Sequence, residues 1–248
     1  MKRMMDPGSD QITQAVEVLR NSQSVTCFSG AGLSAPSGVG TFRDPGDGWW
    51  SRYDPMRLAS PEGFKEDPEL VMKWYAARRR QMAEASPNAA HGALAARNDI
   101  VQITQNTDNL LDRAGCRDII RLHGDITADR CHGHCGYSEP VDMHDPPFHR
   151  SCPKCGQSGL RPTVTWFGES LPTDAWERAE AAAIACDALI VVGTSAVVYP
   201  AAGLISLAAQ TGARIIIVNQ EASGASEIAD LELLGSADEV LPLILDTA

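Results

Sequence analysis

The chain has 248 residues, enough to bury a sizeable core as one large domain or two small ones. Its 32 acidic residues against 21 basic ones leave a formal net charge of -11, which argues against general affinity for nucleic acid or for an anionic membrane. The opening MKRMMDPGSD has no apolar stretch behind its charges, and no apolar run reaches the roughly 18 residues of a membrane span, so a cytoplasmic protein is expected.

In chain order, residues 11–20 carry an amphipathic helical pattern, and the apolar run from Val25 to Phe28 reads as a buried strand. Gly30-Ala31-Gly32-Leu33-Ser34-Ala35 then fits G-x-G-x-x-G/A at a helix start. Two glycines there let backbone N–H groups approach a pyrophosphate, and the small Ala35 lets helix and strand pack closely. The alternative is a glycine-rich turn with no ligand. A dehydrogenase would next supply a second strand ending in an acidic ribose ligand. Pro36, Gly38, Pro45, Gly46 and Gly48 instead break residues 36–48 into a long ordered loop, a length of loop usually kept for function.

A helix begins near Ser60-Pro61-Glu62, a longer one runs from Glu69 to Ala85, and another from His91 to Arg97. Ile100 to Thr104 alternates as a strand and runs into polar Gln105, Asn106 and Asp108. Ligands sit beyond the carboxyl ends of strands in open parallel sheets, so these three are candidates for contacting one. Ile119 to Leu122 is a short strand ending at His123-Gly124. From position alone, His123 is either a general base beside the glycine turn or a satisfied core histidine. After a cysteine-rich stretch, strand 163–167, helix 174–185, strand 188–192, helix 200–210, strand 214–218 and a last helix near 225–234 alternate as in a doubly wound sheet.

Cys131-x3-Cys135 and Cys152-x2-Cys155 approximate a zinc-ribbon pattern, with a glycine after each second cysteine. Four thiolates on two hairpin tips close a tetrahedron and leave no position for a water nucleophile, so the zinc is structural. Buried free thiols are the bland alternative. His134 in place of Cys135 is a second ligand set at the usual spacing from Cys131. The fold expected is α/β, a Rossmann-like doubly wound parallel sheet with a small zinc-ribbon and helical lobe inserted. Its sheet part covers about 10–40, 88–123 and 162–248, with a helical insertion at about 41–87 and a zinc-binding one at about 124–161.

GAGLSAPSGVGTFRD, TQNTDNLLDRAG, LHGD, the four cysteines, WFGE, VVGTSAVVYPAAG and IIIVNQE stand in the order and approximate spacing of the sirtuin family. The chain resembles that family over nearly its whole length. The resemblance implies NAD-dependent removal of acyl groups from protein lysines, with NAD consumed and one structural zinc ion. It places NAD on Gly30, Ala31, Gly32, Ser34, Ala35, Thr41, Phe42, Arg43, Gln105, Asn106, Asp108, Gly193, Thr194, Ser195, Asn219, Glu221 and Ala237. Phe42 and Arg43 would shield the reacting ribose carbon from water.

The implied reaction begins with attack of the acyl oxygen on that carbon as nicotinamide leaves. His123 then acts as base, with Asn106 beside it, and water finally releases lysine and O-acyl-ADP-ribose. An acyl-lysine protein or peptide would add as a strand between Phe167-Gly168-Glu169 and the segment 195–198 that holds Val197. Trp166 would line the acyl tunnel. Thr107 stands where the family usually has Ile or Val and would put a hydroxyl near the nicotinamide pocket, with an effect that the sequence does not give.

Tyr75 and Arg78 match the Tyr-x-x-Arg of class III sirtuins, which remove succinyl, malonyl or glutaryl groups, and Ala59 falls where that class keeps a small side chain. Residues three apart share a helix face, so a phenol and a guanidinium can meet one carboxylate. An ordinary amphipathic helix is the alternative. Other readings of the chain are mono-ADP-ribosyl transfer, simple deacetylation, and a non-catalytic NAD-sensing zinc-ribbon module. Protein targets, the preferred acyl chain and the oligomeric state, with a monomer expected, are not written in the sequence.

Overall fold

A computed structural model describes residues 8–40 and 54–246. Among them the chain forms α1 (Ser9–Asn21), β1 (Val25–Ser29), α2 (Pro55–Leu58), α3 (Pro61–Glu66), α4 (Pro68–Glu84), α5 (Ala89–Ala96), β2 (Ile100–Thr104), α6 (Leu110–Ala114) and β3 (Ile120–Arg121). It continues through β4 (Gly124–Cys131), β5 (Ser138–Pro140), β6 (Leu160–Val164), α7 (Thr173–Ala185), β7 (Ala188–Val192), α8 (Gly203–Gln210), β8 (Arg214–Asn219), β9 (Leu231–Leu234) and α9 (Ala237–Leu245).

Six strands pair in the order β3-β2-β1-β7-β8-β9, all parallel. Every residue of β1 and of β7 is buried, as a central parallel strand covered on both faces requires. One core lies between the sheet and α1, α5 and α9, the other against α7 and α8. The chain winds outward from β1 to β3 and then restarts at β7 on the other side of β1. The switch point therefore falls between β1 and β7, where an open sheet leaves a crevice at its carboxyl ends.

Antiparallel strands β5-β4-β6 make a second, smaller sheet. Helices α2, α3 and α4 pack on it through Leu58, Phe64, Met72, Tyr75, Ile126 and Trp166. Arg79, fully buried, pins α4 to β4: it donates to the carbonyls of Ile126 and Ala128 and pairs with buried Asp129 at 2.7 Å. Helix α4 starts where the Asp67 side chain accepts from Leu70 N–H, and α3 where Ser60 accepts from Gly63 N–H.

Three expectations are corrected. No α-helix follows the glycine turn; two 3-10 turns do, Ala31–Leu33 and Ala35–Ser37, because Pro36 lacks an N–H and Gly38 ends the second turn at φ +81°. The strand placed at 163–167 is Leu160–Val164 instead, and the chain turns at Trp166, whose carbonyl accepts from Glu169 N–H. The helix placed near 225–234 is a 3-10 turn, Ser226–Ile228, followed by β9. Leu231 and Leu233 alternate inward there, in register with Ile216 and Val218, so pairing with β8 overrides helical propensity. The final helix, α9, carries Pro242 inside it, a residue that conceals a helix from sequence reading.

Candidate functional site

The switch point closes on bare backbone. Gly30 N–H donates to Val192 O at 2.9 Å and Gly32 N–H to Gly193 O at 2.8 Å. A Cβ on Gly32 would lie 2.6 Å from Gly193 Cα, and one on Gly193, at φ +61°, would lie 2.3 Å from Leu33 N. Glycine is thus required where the loops after β1 and β7 touch.

Polar side chains converge around this contact. Asn106, at the end of β2, donates to Gly30 O at 3.0 Å and to Ser34 Oγ at 3.2 Å. Ser34 in turn donates to Asp108 Oδ2 at 2.9 Å, and Asp108 Oδ1 accepts from Leu110 N–H at the start of α6. Gln105 reaches across to Thr194 Oγ1 at 3.1 Å, and Asn219, at the end of β8, donates to Thr194 O at 2.9 Å. Buried Ser29 and Thr104, which sequence reading passed over, join β1 to β2 beneath the site: Ser29 Oγ donates to Thr104 Oγ1 at 2.9 Å, and that oxygen accepts from Asn106 N–H. Their signal was a hydroxyl residue ending each of two largely buried strands.

His123 stands half-buried after β3, with Nδ1 3.0 Å from Gln105 O. A carbonyl only accepts, so Nδ1 carries the proton and Nε2 of the neutral ring carries the lone pair. Burial pushes the imidazole below its ordinary value of 6.5, against the opposing pull of the Gln105 carbonyl. At neutral pH the ring is a base held in one tautomer.

The structure brings Gly30, Ala31, Gly32, Ser34, Ala35, Gln105, Asn106, Asp108, Gly193, Thr194 and Ser195 to one end of the sheet. Glu221 is exposed two residues past β8, and Ala237 is the buried first residue of α9. Thr41, Phe42 and Arg43 lie outside the described residues.

A second group surrounds Trp166. Its indole N–H donates to the hydroxyl of buried Tyr75 at 2.8 Å, and burial pushes that phenol up to about 12. Arg78 donates to Gly40 O at 3.3 Å and to Gln81 Oε1 at 2.9 Å. Buried Ala59 accepts from Phe167 N–H, while Phe167, Gly168 and Val197 are exposed. Glu169 faces inward: it accepts from Trp166 N–H and pairs with Arg130 and Arg161.

In the smaller sheet, Sγ atoms of Cys131, Cys135, Cys152 and Cys155 all lie within 4.8 Å of one another. The Cys131–Cys155 and Cys135–Cys152 separations are 3.7 and 3.6 Å. A tetrahedral zinc with bonds of about 2.3 Å puts its sulfurs about 3.8 Å apart, so the cluster fits that ion. His134 is exposed and outside the cluster, which decides the ligand set for Cys135. Metal analysis is expected to give one zinc per chain, retained in His134→Ala and lost in Cys135→Ala along with the order of the small lobe. Retention in the cysteine variant would contradict the assignment.

Residues 30–200 match the family model described as Sir2 family. The chain belongs to the Sir2 family. A Pyrobaculum aerophilum protein named NAD-dependent protein deacylase 2 is 45% identical over 93% of this chain and 93% of its own length. A solved Sir2 homolog–NAD complex superposes with a TM-score of 0.89 at 42% identity, covering 95% of this chain and 93% of that one. A Sir2 bound to a deacetylated p53 peptide and 3'-O-acetyl ADP-ribose superposes at 0.84 with 30% identity, covering 95% and 97%. This Sir2 chain also carries no helix, among its described residues, long and apolar enough to cross a membrane.

Proposed function

We propose that this chain is an NAD-dependent protein lysine deacylase. The observation that carries the reading is His123, a neutral imidazole in one tautomer, on the same crevice as the glycine contact and the Asn106–Ser34–Asp108 network. Bare backbone at Gly30, Gly32 and Gly193 suits a pyrophosphate, and the amides and hydroxyls of Gln105, Asn106, Thr194 and Asn219 suit the ribose and carboxamide groups of a dinucleotide. Bound there, NAD supplies an electrophilic ribose carbon whose nicotinamide can leave. His123 Nε2 takes a proton from a ribose hydroxyl, Gln105 O holds the ring for that transfer, and Asn106 orients the ligand beside it. The zinc holds the small lobe and takes no part in the chemistry. The direct check is peptide deacylation with and without NAD, followed by chromatography; deacylation that proceeds equally without NAD contradicts the reading.

The peptide adds as a strand between Phe167–Glu169 and residues 195–198, a reading supported by the exposure of Phe167, Val197 and Val198. We place the enzyme in the cytoplasm, in keeping with Cys27, Cys116 and Cys186, which stand free outside the tetrad.

For the acyl group, succinyl or malonyl lysine is read as a substrate alongside acetyl, with Tyr75 and Arg78 meeting the distal carboxylate. Support comes from their place three residues apart on one face of α4, where a phenol and a guanidinium can meet one carboxylate. A hydrogen bond to a charged group contributes roughly 1.5–3 kcal/mol, so Arg78→Met is expected to cost about 10- to 150-fold in kcat/KM for succinyl-lysine. Acetyl-lysine has no such carboxylate and its turnover should hold within a few fold. Equal losses on both substrates would withdraw the class III assignment.

A further inference from the structure

Trp166 is held from four directions. Its backbone N–H donates to Glu169 Oε2 at 2.9 Å, its indole N–H donates to Tyr75, its ring packs 5.3 Å from that of Phe64, and the Arg161 guanidinium lies 3.7 Å from the ring centroid. Arg161, on β6, is fully buried. The same guanidinium pairs through Nη2 with Glu169 Oε1, and Glu169 Oε2 also accepts from Arg130 at 3.2 Å. The following residue, Phe167, is tied by its N–H to Ala59 O and presents its ring at 42% exposure.

We propose that Arg161 is a positioning residue for the acyl-lysine site, acting through the Trp166 ring and the Glu169 carboxylate. This rests on the reading of Trp166 and Phe167 as the wall of that site. A planar guanidinium can cover an indole face and fork to a carboxylate at once, which a lysine ammonium cannot. Arg161 contributes little to the fold by comparison. Its Nε and Nη1 find no hydrogen-bond partner among the described residues, so much of the cost of burying the guanidinium is left without compensation. Glu169 keeps Arg130 and Trp166 N–H when Arg161 is removed, so no carboxylate is left uncompensated. Thermal stability and substrate binding therefore separate at this position.

The test compares Arg161→Met and Arg161→Lys with the wild type, as full chains loaded with zinc. Arg161→Met should keep its zinc and an equal or higher Tm, while KM for the acyl-peptide rises about 10-fold, the order of one desolvated cation–π contact. KM for NAD should stay close to the wild-type value. Arg161→Lys should fall between the two on peptide KM. Tryptophan emission should differ between Arg161→Met and wild type, and that difference should vanish when Trp166→Phe is present in both. A loss of kcat at unchanged peptide KM, a lower Tm with both KM values raised, or no Trp166-dependent change in emission each overturns the proposal. If the wild type deacylates and only these readouts fail, the inference alone falls; if the wild type does not deacylate with NAD, the functional reading falls and takes the inference with it.

Discussion

His123→Ala is expected to lower kcat/KM for deacylation by about 10² to 10⁴ while NAD binding, measured by calorimetry, stays near the wild-type level. The structure gives the reason for the split. The imidazole bonds to Gln105 O alone among the described partners of Nδ1, and the network that suits the dinucleotide, from Gly30 through Asn106, Ser34 and Asp108, does not pass through it. The pH profile follows from the same burial. The base is active when neutral, and its titration lies below 6.5, so kcat/KM should be level near pH 7 and fall only as pH drops through that lowered value. An acid limb centred above 6.5, or turnover of His123→Ala within a few fold of wild type, would mean that another group takes the proton.

Asp129→Ala should produce a large loss of stability. Arg79 and Asp129 are both fully buried and 2.7 Å apart, and removing the carboxylate strands a guanidinium in the interior between α4 and β4. Breaking such a pair costs about 3–5 kcal/mol. Arg150, which reaches Asp129 Oδ2 at 3.1 Å, would keep Glu139 as a partner and so does not add a second stranded charge. The double variant Arg79→Met, Asp129→Leu should recover most of the loss, because neither charge then remains. Denaturant unfolding of the zinc-loaded protein measures this, and an Asp129→Ala midpoint equal to wild type would show that Arg79 is compensated from elsewhere.

The sheet was legible where strands are buried on both faces. Runs such as Val25–Ser29 and Ala188–Val192 are buried throughout, and the polar Gln105, Asn106 and Asp108 after β2 marked the carboxyl edge where the site lies. The zinc cysteines were legible from spacing, and the structure chose Cys135 over His134 because a side chain exposed at φ +54° stays outside the cluster. What sequence hid is set by long-range contact. β9 reads as a helix until it meets β8, and α9 is concealed by Pro242. Buried Arg79 and Arg161 resemble any surface arginine in sequence; their burial is explained by distant partners, Asp129, 50 positions from the first, and Glu169 and the Trp166 ring beside the second. His91 is likewise buried, returning its ring to Asn88 N–H as half of a capping box, while Asn88 donates to Leu33 O and Ser37 Oγ and so ties α5 to the glycine turn.

The central claim is tested most directly by a product balance in a reaction of the zinc-loaded chain with NAD and a mixture of acetyl- and succinyl-lysine peptides, followed by mass spectrometry. For each lysine freed, the account predicts one nicotinamide and one O-acyl-ADP-ribose carrying the acyl group that the peptide lost. Nicotinamide release with intact acyl-lysine and ADP-ribose on the protein or peptide, or free acyl acid in place of O-acyl-ADP-ribose, would contradict it.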